Sequence, residues 1–464
     1  MKVLLINAPF PKYTQGYEPP IHIAYLAAYL KEQGYEVDIV DAGLRSGAQQ
    51  VVADADRGDL AAIYVDIHNI FDADEIAKVL KERDGDIKVA VWGNLPTALP
   101  KRVLAENPYI DFAIKREPEL TLAEIAGRCA DGSGFDGVSG CAARIDGEVV
   151  EFDDRPLIDD LDALPDADRE LLAAKNSYPP FIGPLEGYVL TSRGCPHRCN
   201  FCSALLHGRF RRRSPGRVVD EIERVVERFG TDRFVFRDYT MAPRSHILGI
   251  CDEIMKRGLK IRWHCLIRVD LIDEELLGRM KEAGCYEINF GIESADQGVL
   301  DSYDKGITVE QVERTFELCR KLGIETMANI MLGGPYDTPE SIRKTFDLFI
   351  RLDPDRACIT LFFPYPKTPI WDYCKERGLI KTEDWSQYYT DPWDDRGAYD
   401  RVLSLTPEVI RELERGYKRL LFRYFKKHLQ KLVRNPLHIF DVRLLHLRQL
   451  VQYARFLGGR RKSG

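Results

Sequence analysis

The stretch Thr191-Ser192-Arg193-Gly194-Cys195-Pro196-His197-Arg198-Cys199-Asn200-Phe201-Cys202 decides how this chain is read. Its three cysteines are spaced CxxxCxxC within eight residues, so one short loop can turn all three sulfurs toward one centre. Thiolate sulfur favours zinc or iron–sulfur clusters. A structural zinc asks for a fourth protein ligand, which a knuckle of this spacing would borrow from a distance. A 4Fe–4S cluster held by three cysteines keeps one iron open for chemistry.

Outward from this loop the chain alternates strands and helices. Tyr188-Val-Leu-Thr is the strand that delivers the cysteines. Downstream, apolar strands are expected at Arg233–Phe236, Ile261–Cys265, Glu287–Phe290, Thr326–Met331 and Ala357–Phe362. Amphipathic helices at Val218–Phe229, Asp273–Ala283 and Val309–Leu322 lie between them. Six βα units make a partial barrel whose functional end is the carboxyl end of its strands.

Upstream, a second α/β series occupies the first 130 residues. Strands are expected at Lys2–Asn7, Val37–Asp41, Leu60–Ile67, Ile87–Trp92 and Ile110–Ile114. Helices are expected at Ile21–Gln33, Asp74–Arg83 and Leu120–Cys129. This is a parallel, Rossmann-like (flavodoxin-like) doubly wound sheet. Residues 131–184 read as a linker containing a hairpin, Cys141–Arg144 and Glu148–Phe152 around Asp146-Gly147. The barrel is assigned to 185–385 and a basic helical region to 386–464.

At 464 residues the chain can hold two or three cores. It contains no run of 18 uncharged apolar residues, and its start reads as a buried strand rather than a signal peptide. Eleven cysteines in such a chain are read as reduced core thiols plus one metal site, in a reducing cytoplasm. The net charge of −7 conceals an asymmetry: from Gly416 onward 13 Lys and Arg face one acid, Asp441. Such a tail suits an anionic membrane surface or the acidic body itself. No RNA-binding module is recognisable, so nucleic acid is not expected.

The cysteine spacing, with Phe201 before the last cysteine, resembles the signature of the radical S-adenosylmethionine (radical SAM) superfamily. Leu-Leu-Ile-Asn7-Ala-Pro, Gly34-Tyr-Glu-Val, Trp92-Gly-Asn-Leu-Pro-Thr-Ala-Leu-Pro and Lys115-Arg-Glu-Pro-Glu-Leu-Thr-Leu resemble the cobalamin-binding domain that precedes many radical SAM domains. The resemblance implies Cys195, Cys199 and Cys202 as ligands of a 4Fe–4S cluster, with SAM on the open iron and Phe201 near the adenine. It implies SAM contacts from Asp238 (ammonium), Glu293, Ser294, Gly333 and Gly334, and a carboxylate contact from Arg268. It implies cobalamin contacts from Asn7, Gly93, Asn94 and Thr97. The DxHxxG motif that supplies histidine to cobalt is missing after the first strand. Asp66-Ile-His68 follows the third strand and lacks the glycine, so His68 reads as an ordinary loop histidine.

The expected activity is that of a cobalamin-dependent radical SAM methyltransferase. One SAM would methylate reduced cobalt; a second would yield a 5′-deoxyadenosyl radical that activates an unreactive carbon. The alternatives are cyclisation, ring contraction or oxidative rearrangement without methyl transfer, and a non-catalytic cobalamin and iron–sulfur sensor. The expected partners are a small, possibly lipid-like substrate and an electron donor such as flavodoxin or ferredoxin. Peripheral membrane contact through the C-terminal helices is the further expectation.

Overall fold

The computed structural model describes residues 1–9, 19–176, 178, 187–388 and 400–434. Five short apolar strands open the chain: β1 (Lys2–Asn7), β2 (Glu36–Asp41), β3 (Leu60–Val65), β4 (Lys88–Gly93) and β5 (Phe112–Ile114). They pair in parallel in the order β2-β1-β3-β4-β5. Residues such as Val3–Ile6 are buried on both faces because helices cover each side, which is why these strands read as continuous apolar runs. The strand order reverses between β1 and β3, and that reversal leaves a crevice at their carboxyl ends.

The hairpin β6 (Cys141–Ile145) and β7 (Glu148–Glu151) departs from the linker expected for it. β6 pairs antiparallel with β5 and brings β7 with it, so the first sheet has seven strands. Cys141, Ala142 and Ala143 are buried in the first unit's cores, which gives the hairpin its reason to stay.

The second sheet contains β8 (Tyr188–Val189), β11 (Arg233–Phe236), β12 (Arg262–Ile267), β13 (Cys285–Glu293), β14 (Glu325–Leu332) and β15 (Arg356–Leu361). All six are parallel and sequential, with β8 and β15 as unjoined edges: an open (β/α)6 barrel. A two-stranded ribbon, β9 (Ser192–Arg193) and β10 (Arg211–Arg212), flanks the cysteine loop. The barrel helices are sharply bounded. Ser214 caps the helix Pro215–Phe229, which ends on left-handed Gly230. Thr308 with Gln311 and Thr338 with Ser341 form capping boxes at the helices Val309–Leu322 and Pro339–Leu352.

The first unit packs against both edges of the open barrel. Tyr188 on β8 joins one of its cores, and Tyr365, Trp371, Trp385 and Tyr388, beyond β15, join the other. Glu221, fully buried, locks the junction. It pairs with Arg169 and Arg213 at 2.6 and 2.5 Å and accepts from Tyr25 of the first unit at 2.8 Å.

The C-terminal helix Pro407–Arg434 lies on the barrel. Val409, Leu413, Tyr417 and Leu420 enter the barrel core, and at Gly416 a Cβ would collide with the Phe346 ring. Arg419 and Arg423 pair with Asp347 and Asp353 at 2.7 and 3.3 Å. This first part of the basic tail therefore meets acids of the body. The side chains of Leu421, Tyr424, Phe425 and Leu432, and residues 435–464, lie outside the described residues. Among those described, no helix is long and apolar enough to cross a membrane.

Candidate active site

The cysteine loop is held at the carboxyl end of the barrel by its own backbone partners. Asp238, just past β11, accepts from the Thr191 and Ser192 amides at 2.9 and 2.8 Å and from the Thr191 hydroxyl at 2.5 Å. Gly194 adopts φ +76, with Arg209 O 2.8 Å from where a Cβ would stand, so only glycine turns the chain here. Asn200 N donates to Tyr303 O, Asn200 Nδ2 to Ser302 O, and Ile370 N to Asn200 O. A turn, Cys202 N to Cys199 O, closes the loop.

Cys199 is buried, and Cys195 and Cys202 are partly exposed. The three thiols lie within electrostatic reach of one another. Burial pushes the Cys202 thiol up to about 11 and raises Cys195 as well, so these sulfurs need a positive centre to become thiolates. Among the described residues, no three His, Cys, Asp or Glu are arranged to hold a single metal ion. A cluster fits better than a zinc knuckle, since each sulfur then meets a different iron and the sulfurs stand further apart.

Two buried cations line the loop. Arg268 Nη1 lies 3.6 Å from Cys199 Sγ while Nε and Nη2 grip Asp270. Lys305, buried, donates to Glu293 at 2.8 Å and stands 5.8 Å from the centre of the Phe201 ring. Burial alone would depress its ammonium, but Glu293 and Cys199 raise it, so it stays charged. Glu293 sits at φ +65, beside a register shift after Gly291 that aims its carboxylate at Lys305. Phe201 packs edge-on to Tyr303 at 5.2 Å. Lys305 carries no motif that marks it in the sequence; only the fold brings it to the cysteine loop.

Several expected contacts are committed elsewhere. Asp238 is spent on the loop; burial raises its carboxyl to about 6 despite the three bonds it accepts. The fork of Arg268 is closed by Asp270. Ser294, fully buried, faces Thr345 at 3.3 Å and caps Asp296 N, away from the cysteines. Gly333 and Gly334 donate their amides to Asp337 at 2.8 and 3.0 Å. The space a Cβ at Gly334 would need is filled by the Tyr303 hydroxyl. Gly93 is glycine because the Val65 carbonyl of the adjoining strand lies 2.1 Å from its would-be Cβ, not because open space lies beyond it.

The carboxyl edges of the two sheets face one another. Asn94 bridges Asp66 at 2.7 Å and His207, next to the cysteine loop, at 2.5 Å. Tyr365, beyond β15, donates to Asp66 at 2.6 Å. Asn7 donates to Asp41, and Thr97 donates to Gly93 O while accepting from Arg116 N. Tyr239, 42% exposed, stands where the two sheets meet, near enough to Tyr64, Asp66, Cys202 and Arg237 for their charges to act on it. At the same edge His22, Tyr64 and Trp92 form an aromatic cluster with centroids 4.1–5.4 Å apart. His22 Nε2 and Trp92 Nε1 are buried without a hydrogen-bond partner. Buried polar groups are normally satisfied, so these two suit a bound group rich in amides, as a corrinoid is. His68 instead packs edge-on against Phe363 at 5.2 Å, and burial lowers its pKa.

The chain matches the radical SAM superfamily over residues 189–349 and the B12 binding domain over residues 13–126. It is 32% identical over 408 residues to an uncharacterized methyltransferase of Pyrococcus horikoshii, covering 84% of this chain and 87% of that one. It is 30% identical to the anaerobic magnesium-protoporphyrin IX monomethyl ester cyclase of Rubrivivax gelatinosus, covering 87% and 76%. Its fold is similar to that of the radical SAM methyltransferase TsrM from Kitasatospora setae, solved with cobalamin and a 4Fe–4S cluster (TM-score 0.68, 21% identity, 82% and 76% covered). The chain belongs to the radical SAM superfamily, in the group that carries an N-terminal B12 binding domain. It is an enzyme whose cofactors are a 4Fe–4S cluster, S-adenosylmethionine and cobalamin.

Proposed function

We propose that this enzyme transfers a methyl group to an unactivated carbon of a small molecule. The carrying observation is the position of Tyr239, on which Cys202 of the cysteine loop acts from one side and Tyr64 and Asp66 of the B12 binding domain act from the other. The relatives named as methyltransferases support the reading. When bound, the cluster with SAM supplies a 5′-deoxyadenosyl radical, and cobalamin supplies the methyl group.

The protein's residues hold and shield. Cys195, Cys199 and Cys202 hold the cluster, and Asp238 fixes the loop that carries them. Lys305, oriented by Glu293, is placed to meet the SAM carboxylate, and Phe201 walls the adenine side. Tyr239, His207, Asn94, Asp66 and Tyr365 stand where the two sheets meet, and the bonds among Asn94, Asp66, His207 and Tyr365 hold the sheets together so that groups bound between them stay aligned. His22 and Trp92 offer their unpartnered nitrogens to the corrinoid's amides. A flavodoxin- or ferredoxin-like donor supplies electrons; all eleven cysteines are free thiols, which suits a reducing cytoplasm.

We expect no histidine on cobalt, because His68 is committed to Phe363. The cob(II)alamin form should therefore lack nitrogen superhyperfine splitting in electron paramagnetic resonance. Splitting that disappears in His68→Ala or His22→Ala would contradict this. For the reaction itself, reconstituted holoenzyme is given SAM with a deuterated methyl group, a low-potential reductant and an extract of small molecules. The expected outcome is a product retaining the labelled methyl. A product without the label, alongside 5′-deoxyadenosine, would favour the second reading, a cyclase-like rearrangement, which the similarity to the Rubrivivax gelatinosus cyclase supports.

A further inference from the structure

The guanidinium of Arg268 is held in one orientation, and that orientation serves a sulfur. Nε and Nη2 donate to the two oxygens of Asp270 at 2.9 and 3.1 Å, and Nη2 also reaches the Gly306 carbonyl at 3.3 Å. What remains is Nη1, 3.6 Å from Cys199 Sγ. Both residues are buried, Arg268 at 6% and Cys199 at 8% exposure, so water does not compete for either. Lys305 is also near, but its ammonium is paired with Glu293. Cys195 and Cys202 accept from the backbone amides of His197 and Ala204, and the charges of Arg268 (on Cys195) and Lys305 (on both) act on them through space. The three sulfurs are therefore unequal: one faces a fixed cationic donor.

We propose that Arg268, oriented by Asp270, is a positioning residue that donates Nη1–H to the Cys199 sulfur and raises the reduction potential of the cluster there. This rests on the three cysteines holding the cluster. Reduction adds negative charge, and hydrogen bonds to ligating sulfur are a recognised lever on such potentials. In a buried site the donor stabilises the more negative state more strongly than it would in water. A thiolate bound to iron keeps lone pairs that accept the donor. The closed fork also explains why Arg268 does not grip a carboxylate from SAM, the task its sequence position suggested.

The test is a redox titration of the reconstituted holoenzyme, followed by electron paramagnetic resonance of the reduced cluster, in Arg268→Gln and Arg268→Lys. Arg268→Gln should keep its iron while its reduction equilibrium falls about tenfold, equivalent to about 59 mV for one electron. Arg268→Lys, which keeps the charge but not the fork, should recover part of the loss. If Arg268→Gln cannot hold iron, a fall in Arg268→Lys decides. A wild-type potential in a fully loaded Arg268→Gln, or loss of iron in both variants, would overturn the proposal. Wild-type protein that takes up no iron would instead defeat the cluster assignment beneath it.

Discussion

Replacing Cys195, Cys199 or Cys202 with Ala yields a folded protein that holds no intact cluster and makes no 5′-deoxyadenosine from SAM. Each sulfur is one of three, all on one loop, and no neighbouring His, Cys, Asp or Glu is arranged to replace it among the described residues. The loss is complete rather than graded, because an iron without its ligand destabilises the whole cluster. The fold survives because the loop is tied by Asp238, Asn200 and the β9–β10 ribbon rather than by the thiols. Cys195 and Cys202 are partly exposed, so their truncation should cost under about 1 kcal/mol. Iron content, the visible charge-transfer band and product assay check this together. Retention of the cluster in any of the three variants would refute the ligand set.

Glu221→Gln should cost about 3–5 kcal/mol, the range for breaking a buried ion pair from one side. Its carboxylate is fully buried between Arg169 and Arg213, which are 3% and 7% exposed, and the Tyr25 hydroxyl reaches it from the first unit. Glutamine keeps the shape but removes the carboxylate between the two buried guanidiniums, leaving Arg213 with the more distant Asp166, at 3.4 Å. Burial alone would raise the Glu221 pKa; Arg169 and Arg213 overcome that and hold it below the ordinary value of 4.5. A lowered carboxylate contributes stability that is fully present above about pH 4.5 and is lost as pH falls through the folded value. The wild type should therefore lose this contribution in acid, and the variant should lack that part of the pH dependence. Thermal unfolding across pH checks both; an unchanged midpoint would remove Glu221 from the junction's account.

Much of this architecture was legible because periodicity and burial agree. Lys2–Asn7, Arg233–Phe236 and Val309–Leu322 fall where their apolar spacing and caps place them. The hairpin at 141–151 was visible as a hairpin, but its pairing with β5 was not, since strand pairing across 30 residues leaves no local signal. The cysteine loop was legible because three sulfurs at fixed spacing admit few chemistries. Gly93 and Gly334 read as room for a cofactor, and the structure gives each a further reason to be glycine: the Val65 carbonyl in one case, the Tyr303 hydroxyl in the other. Asp238 and Arg268 stand at the expected strand ends, yet their partners, Thr191 and Cys199, come from distant segments and could not be read from spacing. Lys305, His22 and Tyr239 carry no motif at all; only tertiary packing brings each to its partners, Glu293, Trp92 and Cys202 among them.

An iron–sulfur cluster on the cysteine loop and cobalamin on the first sheet would face one another where the two sheets meet. Electron paramagnetic resonance of the anaerobically reconstituted enzyme, with the cluster reduced and cobalamin as cob(II)alamin, tests it most directly. The account predicts both signals in one molecule, each broadened or relaxed faster by the other. Zinc in place of iron, or two signals that ignore each other, would contradict it.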